Sequence, residues 1–232
     1  MDRRQFATAA IAAATLACAG AAFGAKAPPS WDNLVRVKSN RMNYVYLLPG
    51  ADFRGYTKVM LDPTQISFEK NWQRDYNRTQ RAPSSQISDA DVEKAIADGG
   101  KDATEIFAQA FAAGGYTVVT QPGPDVLRVT TAITNLYVTA PDKMTAGRSR
   151  TYSREAGYAT LVVEVSDSVS GAIMGRAVDN RVAGDTSSAR SRSSVTNRSD
   201  FRIMAQRWAK RGVEGLDELK RLSPIDTAGK AP

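Results

Sequence analysis

Two runs decide the fold: Gly157-Tyr158-Ala159-Thr160-Leu161-Val162-Val163-Glu164-Val165-Ser166 and Gly171-Ala172-Ile173-Met174-Gly175-Arg176-Ala177-Val178-Asp179-Asn180. Asp167-Ser168-Val169-Ser170 stands between them. Apolar, β-branched runs on either side of a short turn segment read as a β-hairpin. Upstream, Asp125 to Val138 alternates: Leu127, Val129, Thr131 and Ile133 share one side, while Arg128, Thr130 and Thr134 share the other. That period of two marks a strand with one face buried.

Further strands are read at Asn43 to Leu48, Tyr56 to Leu61, Thr64 to Asn71 and Tyr116 to Thr120. Leu48-Pro49-Gly50-Ala51-Asp52 is a turn, and Asp62-Pro63 breaks the chain between two strands. Asn71 to Gln86 is polar, carries Arg74, Arg78 and Arg81, and reads as a surface loop.

Two helices complete the set. Ser88 followed by Asp91 is a start signal, because a hydroxyl caps free amides and acids suit the positive end of the helix dipole. Val92, Ile96, Ala103, Phe107 and Ala110 then recur at helical spacing. Gly99-Gly100 inside that run predicts a kink or a close packing contact, and Gly114-Gly115 ends it. Asp200 to Leu222 is a long amphipathic helix with Phe201, Met204, Trp208, Leu216 and Leu219 along one stripe. Strands on both sides of a central helix, closed by a terminal one, predict α+β. The expected architecture is a largely antiparallel β-sheet with the central and C-terminal helices packed on one face.

The first residues behave differently. Asp2-Arg3-Arg4 is a charged head, Phe6 to Ala17 is apolar or small throughout, and the small-residue character runs to Ala25. This is the layout of a secretory signal. Arg3-Arg4-Gln5-Phe6 resembles the twin-arginine export motif. Thr15-Leu16-Ala17-Cys18 resembles a bacterial lipobox, with leucine one place from its usual position. The expectation is export, with a lipid attached to Cys18. The alternative is simple cleavage near Gly24, with Cys18 discarded. The domain plan is an export signal over 1–24, a Pro-containing tether over 25–30, one domain over 31–222 and a flexible tail over 223–232. Either the periplasmic side of the outer membrane or the soluble periplasm follows as the location.

Cys18 is the only cysteine, so the exported part has neither disulfides nor thiol chemistry and relies on its core. The chain contains no histidine, which removes Ser-His-Asp and Cys-His catalysis and the usual His-bearing metal sites. No phosphate-cradling Gly-rich loop is present. No cofactor or metal is expected. Hydrolysis by paired carboxylates stays chemically open, with Asp52, Asp62, Glu69 and Glu164 the acids nearest strands. The formal net charge is +7, which for an exported chain points to anionic envelope partners rather than nucleic acid. Arg148, Arg150, Arg190 and Arg192 lie in polar segments flanking the hairpin and form the candidate anion contact. The competing reading of those segments is a set of solvated loops.

Trp31-Asp32-Asn33-Leu34-Val35, Tyr46-Leu47-Leu48-Pro49-Gly50-Ala51-Asp52-Phe53, Val59-Met60-Leu61-Asp62-Pro63 and Gly175-Arg176-Ala177-Val178-Asp179 together resemble the bacterial lipoproteins grouped as domain of unknown function 3313. The resemblance spans roughly Trp31 to Leu222. It implies an envelope lipoprotein and brings no catalytic residues. The expected function is therefore a non-enzymatic binding or assembly accessory, held to the membrane by an N-terminal lipid. A soluble carboxylate-dependent glycan hydrolase and a cationic module for anionic lipid or cell wall are the alternatives. An envelope protein or an anionic envelope polymer is the partner class.

Overall fold

The computed structural model describes residues 27–80, 82–139, 152–184, 190–191 and 194–227. The hairpin forms the middle of its sheet. β9 (Gly157–Asp167) and β10 (Ile173–Ala183) pair antiparallel, with Val178 opposite Val162 and Ala183 opposite Gly157. The turn closes because Asp167 Oδ1 accepts from Ser170 N at 2.7 Å and Gly171 adopts φ +72°, a conformation open to a residue without Cβ.

The sheet grows outward from the hairpin on both sides. On one side β3 (Tyr44–Leu47) pairs antiparallel with β10, β2 (Leu34–Val37) with β3, and β1 (Ser30–Trp31) with β2. On the other, β7 (Val126–Val138) runs antiparallel to β9. Beyond β7 the direction changes: β4 (Lys58–Leu61) and β5 (Gln65–Phe68) are parallel to it, and β6 (Thr117–Val119) is parallel to β4. A helical crossover explains this, since α2 (Asp89–Ala113) separates β4 and β5 from β6 and β7. The sheet has nine strands in all, and β8 (Tyr152–Ser153) and β11 (Arg190–Ser191) form a separate two-stranded ribbon. The α+β class and the largely antiparallel sheet are as the sequence predicts.

Both long helices lie on one face. α2 packs on β4, β5 and β6, α3 (Ser194–Leu222) packs on β10, and the two helices pack on each other. Strand parity assigns the faces. Leu127, Val129, Ile133, Ala159 and Leu161 join the helical core with Phe107, Met204 and Trp208, while Ala132, Val162 and Val178 form a smaller cluster with Trp31 and Tyr44 on the opposite face. α2 begins with a capping box: Ser88 N donates to Asp91 Oδ2 at 2.8 Å and Asp91 N to Ser88 Oγ at 3.3 Å. Gly99-Gly100 does not break it. A Cβ at Gly100 would lie 2.8 Å from the Thr64 carbonyl oxygen, so the glycine pair marks close packing against the β5 approach.

Three local readings change. The segment expected as a loop contains α1 (Trp72–Thr79). Tertiary contact overrides its polar composition: Trp72 is buried, stacks on Phe68 at 4.3 Å, and donates its indole N–H to the Val138 carbonyl at 3.1 Å. A short 3-10 turn, Pro83–Ser85, follows it. The last helix starts at Ser194, six residues before the predicted Asp200. Finally, the packed body runs past both expected limits of 31 and 222. Ala27 is buried, and its carbonyl accepts from Arg36 Nη1 at 2.7 Å. Ile225 is buried too, and its backbone exchanges hydrogen bonds of 2.8 Å with Gly50 N and Ala51 O.

Candidate ligand cavity

Two helices do not cover nine strands. α2 and α3 sit over the middle of the sheet and its parallel side, so the inner face of β2 and β3 is left with Val37, Val45 and Leu47 facing a gap. α3 would fill that gap with large side chains, but it carries Gly212 and Gly215 there, and a Cβ at either position would meet no atom within 4 Å. The result is a cavity of about 780 Å³ between α3 and the sheet edge. Val163, Val165, Gly175 and Ala177 form its floor, Phe107, Phe111, Leu127 and Val129 its inner end, and Leu216, Leu219 and Leu222 the helical wall. The volume lies inside the roughly 300–1,000 Å³ typical of ligand pockets, and the lining is apolar in the way such pockets are.

The rim is charged. The β2–β3 connection, residues 38–43, lines the cavity and is fixed at two places, on α3 and on β10. Arg41 Nη1 donates to Glu214 Oε2 at 2.6 Å and Arg41 Nε to Glu218 Oε2 at 2.8 Å. The two acids stand one helical turn apart, so one guanidinium spans both. These contacts, led by the Glu218 hydrogen bond, push the Arg41 pKa further up and keep it charged. The second point is Asp179, which is wholly buried. Its carboxylate accepts from Asn43 N at 3.1 Å, Trp208 Nε1 at 3.0 Å, Arg181 Nε at 2.7 Å and Arg211 Nη1 at 3.4 Å. A buried charge is tolerable only when paired and hydrogen-bonded in this way.

The acids named from sequence are each engaged separately. Asp52 pairs with Arg54, which holds its carboxyl at about 2. Asp62 accepts from Arg128 Nε at 2.9 Å and Thr130 Oγ1 at 2.6 Å. Glu69 accepts from the Tyr158 hydroxyl, whose pKa burial and that contact push up to about 12. Glu164 lies on the face away from the helices and accepts from Arg176 at 2.7 Å, while Arg176 also pairs with Asp32 and stacks 4.6 Å from the Trp31 ring. Cys18, Arg148, Arg150 and Arg192 lie outside the described residues. Of Arg190 only the backbone is described, and it pairs with Ser153 in the ribbon. Among the described residues, no group of three or more His, Cys, Asp or Glu is placed to hold a metal ion, and no helix is long and apolar enough to cross a membrane.

Sequence reasoning missed the cavity, Arg41 and Asp179. One signal was present: two glycines three apart in a helix cost about 1 kcal/mol each against alanine, which makes the pair at 212 and 215 a mark of needed space.

Comparisons place the chain among known proteins. Of the solved structures it resembles the PelC dodecamer of Paraburkholderia phytofirmans, at 14% identity over 74% of this chain and 95% of that one, with TM-score 0.35. XCC0632 of Xanthomonas campestris matches at 10% identity over 73% and 90%, with TM-score 0.34. A candidate lipoprotein of Caulobacter crescentus CB15 matches at 10% identity over 73% and 92%, with TM-score 0.31. Likenesses this distant carry no argument about function. No curated protein matches. A family profile does, over residues 29–211. The chain belongs to the family described as Protein of unknown function (DUF3313).

Proposed function

We propose that the protein is an exported envelope accessory that binds a ligand with a long apolar part in the cavity beneath α3, and that it acts by binding rather than by catalysis. The observation that carries this reading is the cavity of about 780 Å³, apolar along its walls and charged only at its rim. The separate engagement of Asp52, Asp62, Glu69 and Glu164 favours binding over carboxylate-assisted hydrolysis, which requires two acids facing one bond. The envelope location rests on the leader, with its basic head and Ala-rich apolar run, and on the lipobox-like Thr15-Leu16-Ala17-Cys18. A lipid on Cys18 would hold the domain at the periplasmic side of the outer membrane, and cleavage near Gly24 would release it to the periplasm. Intact-mass measurement of membrane-extracted protein separates these outcomes.

The cavity is tested with the neutral dye N-phenyl-1-naphthylamine, whose fluorescence rises in apolar surroundings. Parent protein is expected to bind it saturably. Gly215→Leu projects the side chain of a good helix former into the space, so the variant folds while dye binding weakens. Equal dye binding by parent and Gly215→Leu would overturn the proposal.

A further inference from the structure

The rim narrows the ligand class, given that the cavity reading above is correct. Six charged residues line the cavity, and five are cationic: Arg36, Lys38, Arg41, Arg176 and Arg211, against Glu218. Arg176 is turned to Glu164 and Asp32 on the opposite face, and Arg211 to Asp179. Arg36 is engaged with the Ala27 carbonyl. Arg41 is engaged as well, but only with the half-exposed side chains of Glu214 and Glu218, and it lies with the exposed Lys38 on the connection 38–43 that lines the cavity.

Arg41 already displays the chemistry of recognition. Its guanidinium holds two separate carboxylates, one through Nη1 and one through Nε, and both acids are substantially exposed, at 40% for Glu214 and 42% for Glu218. Glu218 itself lines the cavity. A ligand carboxylate arriving from the cavity can therefore take the place of Glu218 on Arg41. One ion pair is broken and one formed, and the displaced Glu218 turns to water at little cost because it is already half solvated. A cationic head would face Lys38 and Arg41 instead, and a neutral head would gain nothing from the exchange.

We propose that the cavity binds a long-chain fatty acid, its carboxylate on Arg41 beside Lys38 and its alkyl chain between the floor and Leu216. A pocket of this volume matches a single-chain, drug-sized ligand, and each methylene buried is expected to tighten binding about fourfold.

The test is calorimetric titration of the full chain with dodecanoate, dodecanol and dodecylamine at neutral pH. The exchange at Arg41 conserves one ion pair, so dodecanoate is expected to bind about threefold tighter than dodecanol, the scale of the exposed contact that Lys38 adds, with dodecylamine weakest. Arg41→Gln should bring dodecanoate to or below the dodecanol affinity, because Glu218 is then left facing the ligand carboxylate without its arginine. Lys38→Gln, on an exposed loop where no fold defect is expected, should remove part of the advantage. Added salt should shrink the preference as well. Equal affinity for all three ligands, weakened together by Gly215→Leu, would overturn the fatty-acid assignment and leave the cavity reading standing. Binding of none of them, with the dye also unbound, would remove both.

Discussion

Replacing the helix glycines by alanine one at a time separates positions that touch a neighbour from positions that face empty space. Inside a helix, alanine is favoured over glycine by about 1 kcal/mol. At Gly212 and Gly215 the added Cβ meets nothing within 4 Å, so each variant should keep that whole gain. Gly100 is the opposite case. Its Cβ would come within 2.8 Å of the Thr64 carbonyl oxygen. Thr64 cannot step aside, because its N–H donates to Thr104 Oγ1 at 2.8 Å and its hydroxyl meets Thr131 Oγ1 at 2.7 Å. Overpacking of this kind costs about 1–3 kcal/mol, which cancels or reverses the propensity gain. Gly99 falls between, since its Cβ would press at 2.9 Å on Ile66 Cδ1, the movable end of a side chain. The order of stability should be Gly212→Ala and Gly215→Ala above parent, Gly99→Ala near it and Gly100→Ala lowest. Urea unfolding followed by tryptophan fluorescence reads this directly. With a slope of about 2 kcal/mol per molar, a gain of about 1 kcal/mol raises the midpoint by about 0.5 M. If Gly100→Ala proved as stable as Gly212→Ala, the close contact with Thr64 would be wrong. If Gly212→Ala and Gly215→Ala gained nothing, those positions would not face open space.

Three further outcomes are expected. Asp179→Ala should lose about 3 kcal/mol, because it strands the buried Trp208 indole N–H and uncouples Arg181 and Arg211; an unfolding midpoint unchanged from parent would contradict the role given to this carboxylate. Ser88→Ala should lose about 1 kcal/mol through the capping box of α2, and far-UV circular dichroism during urea unfolding checks it. The hairpin turn should respond to acid. Hydrogen bonds from the Ser170 backbone, its hydroxyl and Tyr56 hold the Asp167 carboxyl below the usual carboxylate range. A lowered folded pKa contributes stability above the unfolded value of about 4 and loses it as pH falls through the folded one. Tyr56, pushed up to about 12 by burial and by Asp167, contributes below about 10 and loses its share as pH rises through about 12. The stability gap between parent and Asp167→Asn should thus be level across neutral pH and narrow below about 4; a gap that widened in acid would refute the assignment.

What was legible in the sequence is what repeats locally. The alternation of Leu127, Val129, Thr131 and Ile133 gave the buried face of β7, and Ser88 with Asp91 gave the start of α2, because each signal is complete within a few residues. α1 was not legible, since Trp72 is its one buried residue and its partners, Phe68 and the Val138 carbonyl, come from two different strands. The cavity was hidden for a related reason. It is a shared absence, made by Ala177 on a strand and Gly212 and Gly215 on a helix, and each of these small residues alone reads as ordinary. Asp179 could be assigned a face by counting from Gly175, yet nothing near it in the chain announces that Trp208 will meet it. Arg41 and its acids are 173 and 177 residues apart, beyond any local pattern. The anion site expected on the Arg-rich flanking segments falls largely outside the described residues, and the rim at Arg41 drew no notice from composition because arginine is common along the whole chain.

The join between Leu48–Phe53 and the stretch after α3 sets an order of assembly. Phe53 N donates to Ser223 Oγ at 2.8 Å across 170 positions, and Lys220 Nζ reaches the Tyr56 carbonyl at 2.9 Å across 164. An early turn therefore waits for almost the last described residues before its amides find their acceptors, and such long closures slow folding. Because the same late helix supplies one wall of the pocket, the chamber is absent until the chain through Leu222 has been made and folded.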